Sequence, residues 1–235
     1  MKIGKVFTYA FEDRDWLGKL LLAAVFAAIP IVNFLYAGYL VNLVRNVTNR
    51  EAEPLPDWDK FGEKFIKGLV IGVAGLIYGL PALILSLIIV SAWFIPVFGG
   101  SEDVQTTLVA ITSGLGLVLA CFIVIYLLVY SFIYPAIVLH YSREESFGSC
   151  FQIGRIFGII TRNMGNYLTA WLISIVFLIV FSFLMSIVIV VVLNIIPCVG
   201  WIISLFVSLI GGVYLFTVFA YLFGQVVAME GPAAA

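Results

Sequence analysis

Three pairs of carboxylates stand close enough in the chain to act together: Asp13 with Asp15, Asp57 with Asp59, and Glu144 with Glu145. An Asp-x-Asp pair can hold a divalent cation against a phosphate, so a lipid-modifying enzyme is one chemistry they allow. A simpler reading of the second pair has Asp57 capping the helix entered through Pro54, Leu55 and Pro56, with Asp59 solvating its outer face. His140 is the only histidine, which leaves no His-pair zinc site. It stands at the end of a long apolar run and reads as a polar tip at an interface. The chain has no Gly-x-Ser-x-Gly elbow, phosphate-binding loop or dinucleotide fingerprint. No catalytic residue, metal or cofactor is expected.

The elements that would position these groups follow from composition. Of 235 residues, 63% are hydrophobic and 11% charged, where soluble domains are about half apolar and about a quarter charged. Stretches 20–44, 68–101, 104–142 and 163–229 carry no Asp, Glu, Lys or Arg. Apolar runs of about 18 residues or more read as membrane-spanning helices, so the fold class is an all-α integral membrane protein. The net charge of −1 offers no basic surface for nucleic acid. Cys121, Cys150 and Cys198 are too scattered for a disulfide framework. The acidic Glu12, Asp13 and Asp15 ahead of the first apolar run are unlike the basic start of a signal peptide.

Run 163–229 is long enough for two passes and breaks at Pro197 to Gly200, while runs 68–101 and 104–142 give one pass each. Run 20–44 is either one helix or a hairpin turning at Pro30. Charge decides between them. The 12 basic residues form three clusters, within 2–19, 45–67 and 143–162, and Lys and Arg gather on the cytoplasmic side. A hairpin puts all of them on one side, with both termini cytoplasmic, and leaves the other side only the turns near Pro30, Pro96 and Pro197. The charge-free arms, 20–29 and 33–44, extend roughly 15–18 Å each at 1.5 Å per residue. The first hairpin therefore penetrates only partway; six full spans is the alternative.

Residues 1–230 read as one membrane domain of three helical hairpins, the first one short and hemipenetrating, each preceded by an amphipathic interfacial helix. The interfacial helices are 1–15, 57–67 and 146–162, and the hairpins 16–47, 68–140 and 166–229. Residues 231–235 read as a linker or cloning scar. A Phe-x-x-x-Phe pattern recurs in all three interfacial segments: Phe7 and Phe11, Phe61 and Phe65, Phe147 and Phe151. With Trp58, Lys64, Lys67, Arg155 and Arg162 they form candidate interfacial contacts, since a helix with aromatics on one face and Lys or Arg on the other lies in the interface plane. Packing of these stripes on the ends of the spans is the competing reading.

Gly68, Gly72, Gly75 and Gly79 are spaced 4, 3 and 4 and form a small-residue seam for close helix approach. Asn33 and Asn194 lie beside pseudo-equivalent turns. With Pro30 they are the candidate path or gate for a small solute, or else each asparagine caps a helix.

Gly38-Tyr39-Leu40 through Arg45-Asn46-Val47, then Pro54-Leu55-Pro56-Asp57-Trp58-Asp59 and Phe65-Ile66-Lys67-Gly68-Leu69, carry a family likeness. So do Ser146-Phe147-Gly148, Gly154-Arg155, Asn163 to Tyr167, and Gly224-Gln225. On these residues the chain resembles the domain-of-unknown-function family 4013 over nearly its whole length. The resemblance implies a polytopic membrane protein and carries over no activity, substrate or catalytic residue.

The function expected is that of a non-enzymatic, multi-pass protein of the cytoplasmic membrane. It engages membrane lipids, a protein partner or a second copy of itself through the basic-aromatic helices. A passive transporter or channel gated by the partial hairpin is the alternative, and a lipid-modifying enzyme using Asp13 and Asp15 or Asp57 and Asp59 is the third.

Overall fold

In the computed structural model, residues 3–94, 100–195 and 199–229 are described. The expected turns at Pro96 and Pro197 and the tail 231–235 lie outside them. Among the described residues there is helix and no strand. The order is α1 (Ile3–Thr8), a 3-10 turn (Tyr9–Glu12), α2 (Trp16–Ala28), α3 (Asn33–Thr48), α4 (Phe61–Ala92) and α5 (Glu102–Glu144). A second 3-10 turn (Phe147–Phe151), α6 (Ile153–Arg162), α7 (Met164–Ile195) and α8 (Gly200–Ala228) complete it. Four of these, α4, α5, α7 and α8, are long and apolar enough to cross a membrane. At about 1.5 Å per residue they are roughly 44–65 Å long. The chain is thus a multi-pass membrane protein. Pro81 lies inside α4 and Pro135 inside α5, as membrane helices tolerate when neighbours satisfy the freed carbonyls.

The chain divides into two compact units, Met1–Gly72 with Pro135–Ala235, and Val73–Tyr134. In the first, α8 is the central post. Val213, Leu215, Val218, Leu222, Phe223, Val226 and Val227 along its second half are buried, covered by α2, α3 and α7. Its first turns, with Trp201 and Leu205, are exposed. The reason is length: α3 has 16 residues and α2 13, against 29 in α8. Gly224 lets α3 approach, since a Cβ there would meet the Val47 side chain at 2.8 Å.

In the second unit, two helix segments pair antiparallel. The Tyr130 hydroxyl donates to the Gly75 carbonyl at 3.2 Å, and that of Tyr126 to the Tyr78 carbonyl. Most other side chains on this pair are exposed and apolar, Leu76 and Leu117 among them, as expected of surface that faces lipid.

Two expected interfacial helices take other forms. Residues 57–67 are not a separate helix. Irregular backbone runs from 51 to 60, and α4 opens at Phe61 and continues without a break. Asp57 therefore does not cap it. The first segment forms α1 and a 3-10 turn, but it packs beside α7 and α8. Tyr9 stacks on Tyr221 with ring centroids 3.8 Å apart and donates to the Thr217 carbonyl at 2.9 Å. The Tyr214 hydroxyl donates to the Phe7 carbonyl at 2.8 Å. Val6, Tyr9 and Ala10 are buried there, while Phe11 is half exposed.

Candidate functional site

Many of the charged residues that the apolar runs exclude meet at one end of the first unit. Lys19 of α2 pairs with Asp13 at 2.8 Å and with Asp57 at 2.9 Å, and donates to the Leu55 carbonyl. The Trp58 indole donates to the Lys19 carbonyl at 2.9 Å and its ring stacks on Tyr39, 4.7 Å away. Asn46 donates to the Pro54 carbonyl at 3.1 Å. Arg50 caps the end of α8 through the Ala228 carbonyl, where a cation complements the helix dipole. These bonds pin the segment 49–60 onto α2, α3 and α8, so the backbone that is irregular in form is fixed in place.

Between α3 and the start of α4 lies an open polar cavity of about 280 Å³. Asn42 and Asn46 of α3 and Asn49 just past its end line it, spaced four and three apart as neighbours on a helix face are. Lys60, Lys64 and Lys67 line it with the same spacing from the other side. The approach is close because Gly38 and Gly68 lie at the crossing. A Cβ on Gly38 would fall 1.8 Å from the Lys64 carbonyl oxygen, and one on Gly68 would fall 1.7 Å from that of Phe34.

Two of the three lysines are buried, and each is neutralised. Lys64, 2% exposed at its side chain, meets Asp59 at 2.7 Å and also donates to the Asp59 carbonyl. Its ammonium holds the Asp59 carboxyl below the usual carboxylate range, through the hydrogen bond first and the charge second. Lys67, 6% exposed, meets Glu63 at 2.7 Å, Glu145 at 2.8 Å and the Asn42 side-chain oxygen at 3.0 Å. Three acceptors match the three protons of an ammonium group. Glu145 also binds Arg45 of α3, so one carboxylate after α5 ties α3 to α4. Arg50, Lys60 and Glu145 all have positive φ, at 60°, 43° and 51°, uncommon for residues with a side chain.

The sequence-derived candidates divide accordingly. Lys64 and Lys67 point inward to carboxylates. Trp58 and Phe65 are half-buried, Phe65 against Phe34 at 6.0 Å and Trp58 on Tyr39. Phe7 packs on Phe177 at 5.0 Å, while Phe11, 50% exposed, edges Trp16. Phe61 is 48% exposed. Phe147 is exposed and contacts Phe151. Arg155 and Arg162 are exposed on α6, whose opposite face buries Ile156, Ile159 and Ile160. Arg155 lies 3.6 Å from Glu144. Of the four seam glycines, Gly68 and Gly72 meet Phe34, Gly75 meets Tyr130 and Tyr134, and Gly79 faces open space.

Pro30 and Asn33 sit at an exposed turn whose Ile31 has φ 71°. The turn satisfies its own carbonyls: Asn33 N–H donates to Ile29, Phe34 to Ile31 and Leu35 to Val32. Asn194 lies in α7, and its side chain is outside the described residues. Sequence reasoning named Glu145 only as one of a carboxylate pair and did not bring Gly38, Asn42 and Glu145 together at this place. The signal for Gly38 was a glycine in the middle of a helical run.

Residues 21–190 match the family described as a protein of unknown function (DUF4013). The chain belongs to this family. The match runs from α2 into α7 and includes the whole cavity between α3 and α4. No curated protein and no solved structure matches the chain.

Proposed function

We propose that this DUF4013 member is a non-enzymatic membrane protein whose polar end engages lipid headgroups, or a partner at the membrane surface, from the cytoplasmic side. The observation that carries the reading is a rim of outward side chains on segments whose other faces are packed. Phe11, Phe61, Phe147 and Phe157 are each about half exposed, and the Arg155 side chain is 66% exposed. Aromatic rings and cations displayed together on a fixed scaffold suit the headgroup layer, where rings sit among acyl-chain ends and cations meet phosphate. The cytoplasmic assignment is supported by the one-sided distribution of Lys and Arg.

The test is native mass spectrometry of the protein purified in mild detergent, alongside a variant combining Phe147→Ala, Phe157→Ala, Arg155→Gln and Arg162→Gln. The wild type should retain phospholipid that the variant loses while keeping its helical content. Equal retention would reject the rim as the contact surface. A protein held stoichiometrically by the wild type and lost from the variant would assign the rim to a partner.

A further inference from the structure

We infer that the cavity between α3 and α4 binds a zwitterion carrying a phosphate and a primary ammonium, the chemistry of a phosphoethanolamine headgroup. Most of the charges that line the cavity are already paired. Lys64 is held by Asp59, Lys67 by Glu63 and Glu145, Arg45 by Glu145, and Asp57 by Lys19. Two lining charges are left without an ion pair among the described residues: Lys60 and Glu51, one of each sign, both exposed.

A cavity with one spare cation and one spare anion gains little from a ligand of a single charge. A ligand with a cation at one end and an anion at the other is attracted at both ends. The amides of Asn42, Asn46 and Asn49 can donate to phosphate oxygens or accept from an ammonium group. The volume, about 280 Å³, falls just below the range of ligand sites, roughly 300–1,000 Å³, and suits a headgroup rather than a larger molecule. Phosphate is chosen over carboxylate because the cavity stands beside the ends of membrane helices. That step rests on the proposed reading of the polar end.

The full-length protein in detergent micelles is titrated with short-chain phosphatidylethanolamine, phosphatidylglycerol and phosphatidylcholine, and with soluble glycerophosphoethanolamine and glycine. Native mass spectrometry reports binding, with intrinsic tryptophan fluorescence beside it. Phosphatidylethanolamine should bind about tenfold more tightly than the other two lipids, the lower range for one charge-assisted hydrogen bond. Glu51→Gln should abolish that preference. Lys60→Asn, which suits a positive φ, should weaken all three lipids. Both sites are exposed, and circular dichroism verifies the fold of each variant.

Saturable binding of glycerophosphoethanolamine at least as tight as that of the lipid would support the site with a soluble source. Tighter binding of the lipid would support the membrane source. Equal binding of glycine would overturn the phosphate assignment. Lipid retention that depends on Phe147 and Arg155 but is unchanged in both cavity variants would overturn the cavity site while leaving the rim reading intact. Loss of retention in neither set would overturn both.

Discussion

The Tyr36 hydroxyl donates to the Val213 carbonyl at 3.0 Å, which fastens the first turn of α3 beside the middle of α8. Arg50, just past the other end of α3, binds the last carbonyl of α8, at Ala228. The short hairpin thus accompanies α8 for about half its length. Exposed charge lies not far from its tip. Trp58 stacks on Tyr39, and its neighbours Asp57 and Asp59 are 78% and 62% exposed at their side chains. Exposed carboxylates avoid hydrocarbon, and on that ground the water boundary is predicted near Tyr39. Six residues separate Tyr39 from Asn33, about 9 Å of helix, well short of a hydrocarbon core about 30 Å thick.

The first prediction is that the hairpin tip enters one leaflet only. In a Cys-free background, cysteine at Asp57 should react with an impermeant maleimide applied from the side of the termini. Cysteine at Ile31 should resist it from both sides, and a fluorophore placed there should be quenched by lipids brominated in their acyl chains. Labelling of Ile31 from the side opposite Asp57 would mean that the hairpin spans.

Glycines at the α3–α4 crossing and a glycine away from it should respond oppositely to alanine. At Gly38 and Gly68 the new Cβ meets a backbone carbonyl at less than 2 Å, and backbone cannot swing aside as a side chain can. Gly38→Ala and Gly68→Ala should each cost about 3 kcal/mol or fail to fold, at or beyond the usual range for overpacking. Gly79→Ala meets nothing within 4 Å and should be neutral or stabilise by up to about 1 kcal/mol, the helix propensity difference. Thermal unfolding in detergent separates the two classes. A destabilised Gly79→Ala beside an unchanged Gly38→Ala would reverse the assignment of the crossing.

Acid should weaken the clamp on Lys64. The Asp59 carboxyl titrates below its ordinary value of 3.8 because the Lys64 ammonium bonds to its charged form. A lowered folded value contributes stability that is complete above the unfolded value and disappears as pH falls through the folded one. Melting temperature followed from pH 6 downward should therefore include a loss below 3.8 that Asp59→Asn lacks. Identical acid limbs in the two proteins would show that the pair contributes nothing measurable.

The four long helices were legible because an uncharged run longer than about 20 residues has few alternatives to crossing a bilayer. A break near Pro30 was legible from the proline itself, and α2 ends at Ala28 and α3 opens at Asn33. The direction of the second basic cluster was not. Lys64 and Lys67 read as interfacial contacts, yet their ammonium groups are drawn inward by Asp59, Glu63 and Glu145. Glu145 is 78 residues from Lys67 in sequence, and no periodicity encodes a partner at that distance. The expected helix over 57–67 failed for a related reason. Trp58 finds a better position on Tyr39 than on its own helix, and Asp57 is bound to Lys19.

The final prediction concerns the saturated ammonium of Lys67. Its side chain is 6% exposed, with Glu63 and Glu145 as its two charged partners and Asn42 as its neutral one. Both carboxylates are partly exposed, at 45% and 38%, so either one alone should be dispensable at about 1 kcal/mol. Glu63→Gln and Glu145→Gln should each fall in that range, since the other carboxylate remains. The double variant leaves a buried cation facing only amides, and a buried charge stripped of its partners costs about 3–5 kcal/mol. The double loss should therefore exceed the sum of the singles, as expected for residues that share a partner. Lys67→Met in the double background should recover most of the loss, because the charge is then gone and the buried stem remains. Denaturant unfolding in detergent measures all four proteins. Strictly additive losses, or a double variant that Lys67→Met makes worse, would mean that Lys67 is not held by these two carboxylates together.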